Sequence, residues 1–265
     1  MGAQYLRCLS IIAALLVSTA NAAEDSAIRV ILVGDSTMAK RTGYGDALCQ
    51  RFQPQVSCIN AARGGRSSGS YRAEGLWDKV MESLRDKGGY GATYVLIQFG
   101  HNDQPGKPGR STDLATEFPV NMARYVDDVN SVDAKAVLLT PLTRRSFRDN
   151  VLQDDLKPWV DAVMRIAEMK TVPLLPLNAD SRAAITAMGP AEANTLAQAP
   201  PPAKGEPVKA VPFSAAEPDG VKPPSFDYTH LGAKGADYFA DMVAREIQQR
   251  VPALATHLKA DRTAK

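Results

Sequence analysis

The chain has 265 residues, of which 45% are hydrophobic and 23% are charged. This length and composition fit one large globular domain with a sizeable core better than two small domains. The 31 basic and 29 acidic residues leave a formal net charge of +2, so the charge balance gives no indication of binding to nucleic acid or to a membrane surface.

The N-terminal segment has the pattern of a secretory signal peptide. Arg7 precedes an apolar run over residues 8–19, and Ala20, Asn21 and Ala22 form a small-residue cleavage pattern. The run is too short to span a membrane as a helix, and the alternative to a signal peptide is a buried N-terminal helix. We therefore expect residues 1–22 to be removed and the mature protein to be secreted or periplasmic.

Beyond residue 22, short apolar runs alternate with longer amphipathic segments. The short runs are rich in β-branched residues and favour buried strands, whereas the longer ones repeat apolar residues at helical spacing. In chain order, the predicted elements are strand 28–34, helix 46–52, strand 56–60, helix 73–87, strand 93–99, helix 117–132, strand 135–140, helix 151–169, strand 172–177 and helix 232–250.

This alternation predicts an α/β protein with a three-layer, flavodoxin-like fold. Five parallel strands would form the sheet, with helices on both faces. The strand order 2-1-3-4-5 suits five strands, and ligands of such folds bind at the carboxyl ends of the strands.

Two features lie outside the predicted elements. Residues 189–224 hold nine of the eighteen prolines, so we expect a Pro-rich, extended surface insertion within a single domain over residues 23–265. The alternative is a loop that forms one wall of a substrate cleft. Cys49 and Cys58 could form a disulfide in an exported protein, or they could be two buried free thiols.

Ser36 is the candidate nucleophile. It follows the first strand in the sequence Gly34-Asp35-Ser36-Thr37, where the fold places a ligand, and Gly34 is expected to permit a tight turn. The alternative is a set of residues that only caps a following helix.

A nucleophilic serine needs a base, and the chain has three histidines. His257 lies in the polar C-terminal region, where solvation explains it. His230 follows Asp227 by three residues, a spacing that lets the carboxylate hold the imidazole towards a serine. The alternative for Asp227 and His230 is a helix-start carboxylate beside an exposed histidine.

Two further strand ends offer groups that could stabilise an oxyanion. Gly65, after the second strand, has an N–H that no Cβ shields, and Asn102, after the third, has a side-chain amide. Such donors stabilise a developing negative charge, although a Gly-Gly turn and an Asn cap would also explain them.

Taken together, these residues resemble the SGNH (GDSL-type) hydrolase superfamily, and within it the rhamnogalacturonan acetylesterase family. Four sequence blocks carry the resemblance: GDSTM at 34–38, NAARGGRSS at 60–68, FGHND at 99–103 and DYTH at 227–230. The absence of GxSxG argues against the α/β-hydrolase elbow.

The resemblance implies a role for each matched residue. Ser36 would be the nucleophile, His230 the general base and Asp227 its orienting partner. The backbone N–H groups of Ser36 and Gly65 and the side chain of Asn102 would form the oxyanion hole. The remaining block residues would support the site, with His101 holding its loop; they are Asp35, Arg66 and His101.

The implied activity is removal of O-acetyl groups from a plant cell-wall polysaccharide, most readily pectic rhamnogalacturonan. No metal or organic cofactor is expected, since HExxH, CxxC, EF-hand and GxGxxG patterns are absent. Four alternatives stay open: an acetyl-xylan esterase, an esterase for lipid or small acyl esters, a periplasmic polysaccharide O-acetyltransferase, and an inactive carbohydrate-binding protein.

Partners other than the acetylated glycan are not expected, and among oligomeric states a monomer is favoured. Three aromatic residues near the blocks could contact a sugar or belong to the core; they are Tyr44, Tyr71 and Trp77.

Overall fold

A computed structural model describes residues 27–203 and 225–260. The predicted signal peptide and residues 204–224 of the predicted Pro-rich insertion lie outside this part of the chain. No helix in the described ranges is long and apolar enough to cross a membrane.

A five-stranded parallel sheet forms the centre of the fold, in the order β2-β1-β3-β4-β7. β5 and β6 pair separately as a short antiparallel hairpin. Counting only the central sheet, this is the predicted order 2-1-3-4-5, and the predicted fold class is confirmed. The strands are β1 (Ile28–Gly34), β2 (Ser57–Asn60), β3 (Ala92–Gln98), β4 (Lys135–Leu139), β5 (Phe147–Arg148), β6 (Val151–Leu152) and β7 (Leu174–Leu175).

Helices cover both faces of the sheet. They are α1 (Gly45–Cys49), α2 (Ser68–Ala73), α3 (Leu76–Arg85), α4 (Glu117–Asn130), α5 (Lys157–Lys170), α6 (Leu177–Asn194), α7 (Ala233–Arg250) and α8 (Pro252–Ala255). Side chains alternate along a strand, so β1 sends Val30 and Leu32 into one core with α1, α6 and α7, and Ile31 and Val33 into a second core with α3, α4 and α5.

Three predicted boundaries differ from the structure for local reasons. The helix predicted over 73–87 begins only at Leu76, because Gly75, at φ 71°, separates it from α2, which was not predicted. The helix predicted over 151–169 begins only at Lys157, because the β5–β6 hairpin precedes it. The strand predicted over 172–177 is reduced to Leu174–Leu175, and α6, which was not predicted, begins at Leu177.

The prediction of an extended surface segment from residue 189 onwards is wrong for its first residues. Gly189 has φ 69° and Pro190 follows it, so α6 is kinked there, yet the helix continues to Asn194. Ala193 and Leu196 are buried in the core beside α7. Burial of these two apolar side chains therefore keeps residues 190–194 helical, although Pro190 disfavours a helix there.

Cys49 and Cys58 are joined by a disulfide, with 5.4 Å between their Cα atoms. The bridge ties the end of α1 to β2 across a sequence separation of nine residues. The three aromatic residues that could have contacted a sugar belong to the core: Tyr44, Tyr71 and Trp77 are each at most 2% exposed.

Candidate active site

The carboxyl ends of β1, β2 and β3 place three of the four sequence blocks side by side. Main-chain hydrogen bonds continue past the strands, with the N–H of Arg63 donating to the carbonyl of Gly34 at 2.9 Å. A Cβ built on Gly64 would lie 3.8 Å from the Cβ of Ser36, so the Gly64–Gly65 turn lies against the serine.

The expected reason for a glycine at position 34 is wrong. Its φ lies outside the left-handed region, so no unusual turn requires it. A Cβ at Gly34 would instead lie 2.7 Å from the carbonyl oxygen of Gln98 on β3. The glycine allows β3 to approach closely where the serine loop begins.

Ser36, His230 and Asp227 form a continuous chain of hydrogen bonds. The Oγ of Ser36 lies 2.9 Å from Nε2 of His230, and Nδ1 of His230 lies 2.6 Å from Oδ2 of Asp227. Because a carboxylate accepts at Nδ1, that nitrogen carries the proton and Nε2 accepts from the serine hydroxyl. The structure thus brings together the three residues that were predicted from the sequence, although Ser36 and His230 are 194 residues apart in the chain.

Thr42 holds the serine loop and the histidine loop at a set separation. Its hydroxyl donates to the carbonyl of Ser36 at 2.7 Å, and its own carbonyl accepts from the N–H of Leu231 at 2.8 Å. One residue therefore contacts the main chain at Ser36 and immediately after His230.

The second oxygen of Asp227 is occupied by the backbone of its own loop. Oδ1 accepts from the N–H groups of Thr229 and His230, each at 2.7 Å. Partial burial alone would raise the pKa of Asp227, but the hydrogen bonds and charge of His230, with the loop amides, lower it to about 2. Asp227 is therefore ionised throughout the neutral range.

A buried arginine that the sequence reasoning missed contacts this loop from behind. Arg145 is 0% exposed, and its guanidinium donates to the carbonyls of Asp227 at 2.9 Å and His230 at 2.8 Å. A signal was available, since Arg144 and Arg145 come shortly after the carboxyl end of β4, where this fold places functional residues.

Asn102 is oriented by partners on both ends of its amide. Its Oδ1 accepts from Arg110 at 3.1 Å, and its Nδ2 donates one hydrogen to the carbonyl of Arg66 at 3.1 Å. The second Nδ2 hydrogen is directed to no acceptor among the described residues. Asn102, with Gly65 at φ 74° beside Ser36, supplies the kind of donor that an oxyanion hole requires.

The side chain of Asp103 fixes the turn after Asn102. It accepts from the N–H and hydroxyl of Ser68 and from the hydroxyl of Thr112, which joins the second and third blocks. Burial raises the pKa of Asp103 to about 6, although these hydrogen bonds act in the opposite direction.

Behind the serine loop lies a second pair of a carboxylate and an imidazole. Asp35 is completely buried; its Oδ2 lies 3.2 Å from Nδ1 of His101, and its Oδ1 accepts from the N–H and hydroxyl of Thr37 at 2.8 Å each. Burial lowers the pKa of His101, while Asp35 acts in the opposite direction, so the ring is neutral at neutral pH. The chain continues from Thr37 through Gln98 to Tyr44, with both links at 2.6 Å.

Cationic side chains surround Asn102 and His101. Arg66 forms an ion pair with Glu74, and Arg144 with Asp155. Lys107 donates to the carbonyl of His101 but forms no ion pair within the described ranges. Burial, followed by the charges of Arg144 and Arg110, lowers the pKa of Lys107 to about 8.

Within residues 27–203 and 225–260, no group of three or more His, Cys, Asp or Glu side chains is placed to hold a metal ion. The arrangement suits acyl transfer, because an activated hydroxyl, an oriented base and amide donors lie together at the carboxyl ends of the strands.

The profile of the family described as GDSL-like Lipase/Acylhydrolase matches residues 30–243 of this sequence. The chain belongs to this family. This GDSL-like acylhydrolase is 32% identical over 243 residues to rhamnogalacturonan acetylesterase RhgT of Bacillus subtilis, covering 87% of this chain and 94% of that protein. It is 26% identical over 227 residues to a probable rhamnogalacturonan acetylesterase, YesY, of the same organism, covering 83% and 92%.

Solved structures show the same fold. An acetylxylan esterase from Geobacillus stearothermophilus, in a mutant form, has a TM-score of 0.57 at 16% identity, covering 84% of this chain and 94% of that one. A Bacillus subtilis protein from structural genomics has a TM-score of 0.63 at 21% identity, and this chain spans 56% of it. With its family and relatives, this GDSL-like acylhydrolase is a carboxylic ester hydrolase of the SGNH acetylesterase type.

Proposed function

We propose that this esterase removes acetyl groups from rhamnogalacturonan, with Ser36, His230 and Asp227 as its catalytic triad. The observation that carries the proposal is the unbroken hydrogen-bonded chain from the Ser36 hydroxyl to the Asp227 carboxylate. It lies in a chain related, over most of its length, to proteins named as rhamnogalacturonan acetylesterases.

In the first half of the reaction, His230 Nε2 takes the proton of Ser36 as Oγ attacks the acetyl carbonyl. The tetrahedral intermediate carries its negative charge on the former carbonyl oxygen. The second Nδ2 hydrogen of Asn102 and the N–H groups of Gly65 and Ser36 stabilise that charge. His230 then gives its proton to the departing sugar oxygen, which leaves as an alcohol.

In the second half, the same imidazole takes a proton from water, which attacks the acetyl-serine. Collapse of the second tetrahedral intermediate breaks the Ser36 ester, returns the proton to Oγ and releases acetate. Asp227 stays ionised in both halves, because its low pKa favours the carboxylate that stabilises the imidazolium.

The charges around the site favour an acidic glycan. Arg66, Lys107 and Arg110 lie around Asn102 and His101, and Lys107 is not neutralised by an ion pair with a described residue. Rhamnogalacturonan carries uronic acid carboxylates along its backbone, whereas the xylan backbone is neutral. Cations beside the reacting group would attract the acidic polymer, and added salt would weaken this attraction.

A polysaccharide substrate does not cross a cell membrane unaided, which agrees with the predicted signal peptide. We propose that the protein acts outside the cytoplasm, after cleavage near Ala22, and as a monomer. Detection of the mature N-terminus near Ala23 in a secreted fraction, and of a single-chain mass in solution, would support both points.

The test is acetate release from acetylated rhamnogalacturonan, acetylated xylan and a small aryl acetate, by the wild type and by Ser36→Ala. We expect the wild type to prefer rhamnogalacturonan and Ser36→Ala to lose at least about 10³-fold in kcat. A wild-type preference for xylan would overturn the substrate but keep the triad. Activity that survives in Ser36→Ala would overturn the triad.

Methyl esterification of the uronates tests the charge argument separately. If the cations bind carboxylates, kcat/KM should fall on the methylated polymer and lose its salt dependence. Equal rates on both polymers would show that the charges do not contribute to recognition.

A further inference from the structure

We propose that Arg145 is a positioning residue for the catalytic histidine, acting through the backbone carbonyls of residues 227–230. This inference rests on the triad assigned above. The guanidinium donates to the carbonyls of Asp227 at 2.9 Å, His230 at 2.8 Å and, at the longer distance of 3.4 Å, Thr229. The backbone N–H of Arg145 donates to the remaining carbonyl, that of Tyr228, at 2.8 Å.

All four carbonyls of the loop are thus directed at one residue. The N–H groups of Thr229 and His230 point the other way, to Oδ1 of Asp227. The loop therefore lies between a buried cation and a carboxylate, and its peptide dipoles stabilise both charges. Its conformation fixes which oxygen of Asp227 remains for Nδ1 of His230.

Within the described ranges, the guanidinium of Arg145 donates hydrogen bonds to this loop alone. It is 0% exposed and forms no ion pair within the described ranges, and its Nε has no hydrogen-bond partner there. Burial lowers the pKa of Arg145 to about 10, against the opposing effect of Asp227, so the side chain is charged at neutral pH. Burying a cation without a carboxylate partner is costly, which is unexpected for a residue that only fills space.

Two consequences follow for catalysis. Losing the guanidinium frees the carbonyls, so the imidazole is held less accurately against Ser36, and a misplacement of this kind lowers turnover more than binding. Losing the charge also removes a cation near Asp227, so the Asp227–His230 pair takes up a proton more readily.

The experiment compares Arg145→Met and Arg145→Lys with the wild type, using the aryl acetate so that glycan binding does not enter. For Arg145→Met we expect kcat to fall roughly 10²-fold with KM nearly unchanged. The acid limb of kcat/KM should move up by about 0.5 pH unit or more. Arg145→Lys keeps the charge but donates hydrogen bonds to fewer carbonyls. Its kcat should therefore lie between those of the wild type and Arg145→Met, and the acid limb should stay in place.

Other charges near the pair are the same in all variants. Arg144 contacts Thr229 at 3.2 Å and pairs with Asp155, while Asp35 and His101 lie behind the serine. Only position 145 changes, so a shift of the acid limb reports its charge.

Arg29 provides a matched control at the amino-terminal end of β1, away from the carboxyl ends of the strands where the candidate site lies. It is 4% exposed, and its guanidinium donates to the carbonyls of Ser83 and Asp86 at 2.8 and 3.0 Å. Arg29→Met therefore removes a buried guanidinium of the same kind at the start of β1. We expect it to lower Tm comparably while kcat and the acid limb stay at wild-type values.

A kcat of Arg145→Met within about threefold of wild type would overturn the inference, as would a lower kcat with an unmoved acid limb, which indicates a structural role only. If Arg145→Met does not fold, Arg145→Lys decides: wild-type kcat overturns the inference, and a fall of about fivefold or more at unchanged KM supports it. Activity in Ser36→Ala would instead remove the triad on which the inference rests.

Discussion

The Nδ1 atom of His101 lies 3.2 Å from Oδ2 of Asp35, so a second aspartate–histidine pair stands one residue from the Ser36–His230 contact. The two pairs differ in exposure. His101 and Asp35 are almost completely buried, whereas His230 and Asp227 are partly exposed, so only the His230–Asp227 pair can reach a substrate and water. The buried pair fixes the serine loop.

Asp35→Asn should destabilise the fold by about 1.5–3 kcal/mol, the range for losing hydrogen bonds to a buried charge. Asp35 accepts from Thr37 and His101, and an amide cannot accept all of these bonds equally well. Urea unfolding of both proteins measures the difference. An unchanged free energy of unfolding would show that the pair does not hold the loop.

Asn102→Ala should lower kcat by about 10²–10³-fold with little change in KM, because its amide is needed chiefly when the oxyanion forms. Steady-state kinetics with the aryl acetate measures this. Asn130→Ala, an exposed asparagine at the end of α4, is the control and should retain wild-type rates. A rise in KM at constant kcat would assign Asn102 to substrate binding instead.

Glu246 should make the fold less stable as the pH rises. It is 2% exposed, and burial, followed by the charge and the side-chain hydrogen bond of nearby Asp180, raises its pKa to about 8. Because the unfolded state ionises near the ordinary pKa of 4.5, the contribution is full below that pH, is lost progressively as the pH rises to about 8, and changes no further above it.

Glu246→Gln cannot ionise, so its free energy of unfolding should fall less than that of the wild type between about pH 5 and 8. Urea titrations across this range measure the slope. Glu82→Gln, an exposed glutamate on α3, should keep the wild-type slope. Parallel curves for wild type and Glu246→Gln would contradict the assignment.

Removing the Cys49–Cys58 disulfide should destabilise the protein by about 2–3 kcal/mol, the loop-closure value for a short loop. The double variant Cys49→Ser, Cys58→Ser tests this by urea unfolding, with and without reductant. Reductant should shift the wild type towards the double variant and leave the variant unchanged. A loss below about 0.5 kcal/mol would mean that neighbouring contacts already hold α1 and β2 together.

Much of the fold was predictable because its signals are local. The run of β1 is apolar except for Arg29 and is buried at every position, as expected for a strand covered on both faces, and the alternation with amphipathic helices leads to the parallel sheet. The errors arose where a single residue changes the chain direction, as Gly75 does between α2 and α3, or where tertiary burial keeps a segment helical, as in α6 beyond Pro190.

By itself, the sequence determined the alternation of strands and helices and the four blocks, because strand ends, glycines and the Asp227–His230 spacing are readable along the chain. Only the tertiary structure decided the order of the strands in the sheet, that the two cysteines are bonded, and that Arg145 holds the carbonyls of the 227–230 loop. These are contacts between residues far apart in sequence or dependent on orientation, and no local pattern records a distance across the fold.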